Sequence, residues 1–182
     1  MGEAIDVKIW PLATEIRLRR EGYQQKEYEA HPYFVLMEEI KNAKERIDIG
    51  CAYFSDESIA ELLAARHKDG IKVRVLVSEE QLNSRNDLYV ACLGEFIQSG
   101  VPIKVCGVYH VKMAIFDNDL VWEGQYNISL NAKKSSIEQQ ALIESEEYAD
   151  IRRNSFEADF SADHTKFVGF GGNDEFVCAP MV

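Results

Sequence analysis

Three side chains that lie close along one stretch of the chain, His110, Lys112 and Asn127, are of the types needed to hold and attack a phosphate. An imidazole titrates near neutrality and can attack phosphorus or transfer a proton, while an ammonium two residues away is a fixed positive charge for phosphoryl oxygens. An amide side chain donates N–H to a further oxygen. Residues at i and i+2 of a strand point to the same side, so a strand through this segment would turn His110 and Lys112 to one phosphate. This chemistry needs neither a metal nor a cofactor, and the segment has no carboxylate cluster of the kind that holds Mg²⁺.

The elements that must position these groups are legible from apolar spacing and turn residues. From Pro32, which suits a first helical position, Tyr33, Leu36, Met37 and Ile40 form one helical face as far as about Lys44. RIDIGCAYF then reads as a strand, and Ser55-Asp56 caps a helix with the face Ile59, Leu62 and Leu63 that stops at Gly70. IKVRVLVS is a strand. A helix with Tyr89, Cys92, Leu93, Phe96 and Ile97 on one face follows and ends at Gly100, and VPIKVCGV is the next strand. This β-α-β-α-β succession predicts an α/β fold with a mixed, largely parallel sheet flanked by helices. VKMAIF and LVWEG flank the turn-forming Asp117-Asn118-Asp119 and predict a hairpin, which returns Asn127 to the end of the sheet that carries His110. EQQALIES predicts a further strand and Glu146 the start of a helix; the segment from about Ser161 to Val182 carries no clear assignment.

The run His110-Val-Lys112, four residues, Asp117, six residues, Gly124-Gln125-Tyr126-Asn127 resembles the signature H-x-K, x4, D, x6, G-[SG]-x-N of the phospholipase D-like superfamily. The upstream element order is similar to that family's half-unit, so the resemblance covers roughly Ile5 to Asp150. It implies that His110, Lys112 and Asn127 bind the phosphate directly, and that Glu138, about eleven residues beyond Asn127, orients the catalytic imidazole. Asp117, at odd spacing from His110 and in a turn, is assigned a structural role, with Gly124 as part of the same motif. Gln125 departs from the small residue the family has there: a longer amide either crowds the phosphate or supplies another donor. In the family two such motifs make one site, one histidine becoming phosphorylated and the other protonating the leaving oxygen. One motif is half a site, so the resemblance implies a homodimer sharing one active site across a two-fold axis.

Other histidines are read as bystanders. His31 and His67 are expected at the surface, and His164-Thr-Lys166, although H-x-K again, has Gly171 where the aspartate would stand and too little chain after it for a second hairpin.

The 182 residues suit one domain, with its core over about 5–150 and a C-terminal extension over about 161–182, and 46% hydrophobic content excludes a disordered chain. MGEAIDVKIW has no signal-like n-region and h-region, and no apolar run nears the ~20 residues that span a bilayer, so a cytoplasmic protein without membrane insertion is expected. Four cysteines without a CxxC pair suggest reduced, partly buried thiols. The net charge of −11 opposes long-range attraction of a polyanion. Among single-motif relatives nucleases are commoner than lipases, so a nuclease acting on DNA or RNA is the leading reading, and the acidity suggests a narrow basic groove, a small phosphodiester substrate or a protein partner that delivers the substrate. Arg17 to Arg20 offer the best contact for a polyanion, whereas the run Glu144 to Glu147 reads as a solvated face. The rival readings are a phosphodiesterase for a lipid or small molecule, and a catalytically silent binding or regulatory module motivated by Gln125.

Overall fold

The computed structural model describes residues 6–10, 31–82, 87–135, 139–170 and 176–179. Arg17 to Arg20 and Glu138 lie outside them. Within the described residues the strands are β1 (Asp6–Trp10), β2 (Arg46–Cys51), β3 (Lys72–Ser78), β4 (Ile103–Cys106), β5 (Lys112–Phe116), β6 (Leu120–Gly124), β7 (Gln140–Glu144), β8 (Lys166–Phe170) and β9 (Phe176–Ala179). The helices are α1 (Pro32–Asn42), α2 (Glu57–Lys68), α3 (Asp87–Ser99), α4 (Leu130–Ser135) and α5 (Glu146–Ser161).

Local chemistry sets the helix ends. The Asp56 carboxylate accepts from Ile59 N at the start of α2 and the Ser145 hydroxyl from Tyr148 N at the start of α5, each removing one orphan donor. Gly70 and Gly100, at φ of 96° and 78°, stop α2 and α3 in a conformation that a side chain would strain.

All nine strands join one sheet in the order β1-β7-β6-β5-β2-β3-β4-β8-β9. Parallel pairing is confined to β2, β3 and β4, the three strands joined by the helical crossovers α2 and α3, and the other pairings are antiparallel. The sheet is thus mixed α/β but parallel only at its centre, because the chain after β4 proceeds by hairpins and by returns to the edges. The segment without a sequence assignment contributes β8 and β9, which continue the sheet beyond β4.

Period-2 alternation divides the interior. Ile47 and Ile49 of β2, Val73 and Val75 of β3 and Ala114 and Phe116 of β5 pack with Leu36, Leu63 and Phe96 of α1, α2 and α3. Leu76, Met113, Ile115 and Val121 pack on the opposite face with Ala149, Phe156 and Phe160 of α5. That second face is fastened by Arg74 of β3, whose guanidinium donates to both oxygens of buried Asp48 at 2.7 and 3.1 Å and to Glu157 of α5 at 2.6 Å. Cys51, Cys92 and Cys106 are buried free thiols.

The position of β5 decides where the site forms. It follows β4 in sequence but pairs with β2, on the far side of β3, so residues 107–111 must pass over the carboxyl ends of β3 and β2. Among the described residues no helix is long and apolar enough to cross a membrane.

Candidate active site

β5 begins at Lys112, so His110 lies in the crossing segment rather than in a strand, and the i, i+2 alternation expected for the pair does not operate. The two side chains nevertheless meet. Lys112, buried at the first position of β5, turns its ammonium back over the segment: Nζ donates to the His110 carbonyl at 2.9 Å and lies 3.2 Å from the imidazole Nδ1. His110 itself is exposed, which leaves an imidazole face open to an incoming group.

Asn127 comes to the same end of the sheet. Antiparallel pairing of β5 with β6 returns the chain past Gly124, and Ile128 then forms a parallel bridge to Phe54 just beyond β2. Ser55 N donates to Ile128 O at 2.8 Å, and Ile128 N points to Cys51 Sγ at 3.4 Å. Cys51 is in turn the strand partner of Lys112. Among the described residues the Asn127 Oδ1 is buried without a hydrogen-bond partner.

Burial pushes the Cys51 thiol up to about 11, against the lowering effects of its contacts with Ile128 and Tyr53 and of the Lys112 charge. A neutral thiol does not neutralise the ammonium beside it.

The remaining motif residues hold the backbone. Asp117 has φ 46°, and its carboxylate accepts from the backbone N–H of Lys44, Glu45 and Arg46 at 2.8–3.1 Å, seventy residues earlier in the chain. Its carbonyl accepts from the guanidinium groups of Arg46 and Arg153. It thus lies at the opposite end of β5 from Lys112 and joins the hairpin to the start of β2. Gln125 is exposed, and its backbone N–H donates to Gln139 O at 3.0 Å.

Gly124 is needed for a close approach. A Cβ there would overlap the Gln139 carbonyl oxygen and stand 2.5 Å from the Oε1 of Gln140, which accepts from Tyr126 N at 3.1 Å. Gly124→Ala is therefore expected to lower stability by about 2 kcal/mol, since the overlap is with backbone and with a buried amide that cannot step aside. Urea unfolding measures it, and a loss below ~0.5 kcal/mol would mean that the loop adapts freely.

Three features at this end are absent from the sequence pattern. Tyr109 is buried beside His110 with its ring over Gly50, where a Cβ would come within 2.6 Å of the phenol oxygen. Ser78 and Gln81, both 1% exposed, bind the segment that leads to His110 and the loop after β2 that lies beside Asn127. Polar residues at the end of a strand give no sequence signal of such contacts, which depend on segments far along the chain. Of the bystander histidines, His31 is the N-cap of α1, with Nδ1 accepting from Tyr33 N at 3.2 Å, and packs edge-on against Tyr126 at 6.0 Å. Lys166 of the second H-x-K pairs with Glu79 at 2.9 Å.

Comparison with known proteins agrees with the fold. The family described as "Cardiolipin synthase, PLD-like domain" matches residues 36–160. The chain belongs to the phospholipase D-like superfamily. Among curated members it is 28% identical over 115 residues to a phospholipase D of Rickettsia prowazekii and 30% identical over 112 residues to one of Rickettsia felis. It spans 56% of the length of those relatives. Among solved structures of this fold, Nuc from Salmonella typhimurium, a phospholipase D family member, superposes with a TM-score of 0.72 at 19% identity, covering 91% of this chain and 98% of that one. NucT from Helicobacter pylori gives a TM-score of 0.71 at 19% identity, covering 92% of this chain and all of that one.

Proposed function

We propose that this phospholipase D-like chain is a phosphodiesterase, and specifically a nuclease, that works through a phosphohistidine on His110 in a site completed by a second copy of the chain. The observation that carries the reading is the Lys112 ammonium 3.2 Å from the imidazole of His110, at the end of the sheet where the backbone beside Asn127 is also bound. In the first displacement the imidazole attacks phosphorus, the leaving oxygen departs with a proton from the partner's imidazole, and Lys112 and Asn127 neutralise and bind the non-bridging oxygens. In the second, water deprotonated by that same partner histidine attacks the phosphohistidine, and His110 leaves as free imidazole. Orientation of the imidazole by Glu138 belongs to this proposal, as does a contribution from Gln125.

Two observations support a second copy. The chain supplies one H-x-K with its accompanying residues, and Val108, two residues from His110, is an apolar side chain left 81% exposed at the rim of the site. A nuclease reading must accommodate the charge of −11, through a local groove or a protein partner that brings the nucleic acid. The phospholipase D relatives favour a lipid or small-molecule phosphodiester as the second reading.

The test is hydrolysis of single- and double-stranded DNA, RNA, phosphatidylcholine vesicles and bis(p-nitrophenyl) phosphate in excess EDTA, with His110→Ala as control. Cleavage of nucleic acid is expected to survive the chelator, because imidazole, ammonium and amide supply the charge stabilisation that a metal would otherwise provide. Complete loss in EDTA, restored by a divalent cation, would overturn that mechanism. Turnover of the vesicles alone would establish the lipid reading, and turnover of none a silent module.

Assembly is tested by subunit exchange. With a roughly ninefold excess of His110→Ala protein, random pairing leaves about 1% of dimers fully wild type although about 10% of the subunits are. Activity is expected to fall well below simple dilution. A wild-type protein that stays monomeric in sedimentation and is untouched by the exchange would sink the shared site.

A further inference from the structure

The segment carrying His110 and the loop beside Asn127 come from different parts of the chain, and each is bound by a buried polar side chain at the end of β3. Ser78 Oγ donates to Gly107 O at 3.0 Å, beside Glu79 N, which donates to the same oxygen at 3.1 Å. Tyr109 N points back to the same hydroxyl at 3.5 Å. These contacts fall where residues 107–111 pass over β3, and Ala52 N donates to Val111 O at 2.9 Å where they pass over β2.

Gln81, three residues on, acts on the other loop. Its Nε2 donates to Ala52 O, and its Oε1 accepts from Phe54 N at 3.3 Å. Phe54 is the residue bridged to Ile128, next to Asn127. Both side chains are 1% exposed, so water cannot replace these bonds without opening the structure.

We infer that Ser78 and Gln81 are positioning residues for the hydrolytic site, Ser78 fixing the segment that presents His110 and Gln81 the loop after β2 on which the backbone beside Asn127 is seated. The inference rests on the function proposed above. Each group acts through a loop and neither touches the phosphate. A loop that loses one of its bonds and keeps the others shifts its reacting group without dismantling the sheet, and misplacement on the ångström scale lowers a chemical step steeply.

A reciprocal pair of substitutions separates positioning from general support. Proteins labelled at the histidine Cε1 and the asparagine side-chain amide are compared by NMR as wild type, Ser78→Ala and Gln81→Met. Ser78→Ala is expected to shift or broaden the His110 imidazole resonance and leave the Asn127 amide in place, and Gln81→Met to disturb the Asn127 amide more than the imidazole, which it reaches through Ala52 and Val111. With bis(p-nitrophenyl) phosphate, Ser78→Ala is expected to lower kcat about tenfold with KM within about twofold. Ser78→Cys and Gln81→Glu, which keep size and part of the hydrogen bonding, provide the same comparison if either first variant fails to fold. Both variants of a pair disturbing both resonances equally, or neither disturbing either, would overturn the inference. A wild type inert towards every phosphodiester and unaffected by His110→Ala would instead remove the proposed function, while the resonance pattern still decides whether the two clamps act separately.

Discussion

His110→Ala is expected to abolish phosphodiester turnover, by about 10³-fold or more in kcat, and to leave the melting temperature within ~2 °C of wild type. The size of the effect follows from the proposed role, in which the imidazole is the nucleophile of the covalent intermediate and a dimer with a shared site loses its acid in the same substitution. The intact fold follows from the surroundings. The ring is exposed and meets the Lys112 ammonium, whereas the backbone of its segment is bound through Gly107, Tyr109 and Val111, which alanine leaves unchanged. Lys112→Ala should lose most activity too, by removing the charge on the phosphate, but with some loss of stability, since Lys112 is buried and binds the His110 carbonyl. Steady-state kinetics together with circular-dichroism melting checks both. Near-normal turnover by the His110→Ala protein would remove the histidine from the chemistry.

Asp117→Ala is expected to destabilise the protein by about 3–4 kcal/mol. Its carboxylate accepts from three consecutive backbone N–H groups at the start of β2, and charge-assisted bonds of this kind contribute roughly 1 kcal/mol each where partly exposed. The φ of 46° adds roughly 1 kcal/mol against alanine. Asparagine tolerates that backbone and keeps one acceptor, so Asp117→Asn should lose about half as much. Urea denaturation of the two variants gives the comparison. Equal losses would place the effect in the carboxylate charge alone, and a loss below ~1 kcal/mol for alanine would show that the three N–H groups find other partners.

The sequence carried the motif, the hairpin and every helix but the short α4, because each depends on neighbours a few residues apart. Asp56 capping α2, Gly70 and Gly100 ending α2 and α3, and Asp117 in the turn between β5 and β6 are local matters of backbone chemistry. The pairing of β5 with β2 was not legible, since the apolar alternation of a strand does not name its neighbour. The extent of antiparallel pairing and the placing of β8 and β9 were hidden for that reason. His110 was read into the strand because the apolar run begins early; the structure starts β5 two residues later and brings the pair together through the long Lys112 side chain. His31 looked like a surface residue yet caps α1 and packs on Tyr126, the neighbour of Asn127.

The passage of residues 107–111 across the sheet has a consequence in chain slack. From β4 to β5 the backbone covers three strand spacings, about 14 Å, and the six steps from Cys106 to Lys112 reach about 20 Å when fully extended. Little length is left over. A surface loop ordinarily absorbs insertions at slight entropic cost, but a single added residue here would put a bow into the tether at the point where His110 leaves it, and a single deletion would leave about 17 Å of reach, drawing the tether nearly straight. The covalent span thus removes conformational freedom from the imidazole before any side chain touches it, and this connection, unlike the helical crossovers beside it, has a length that cannot drift.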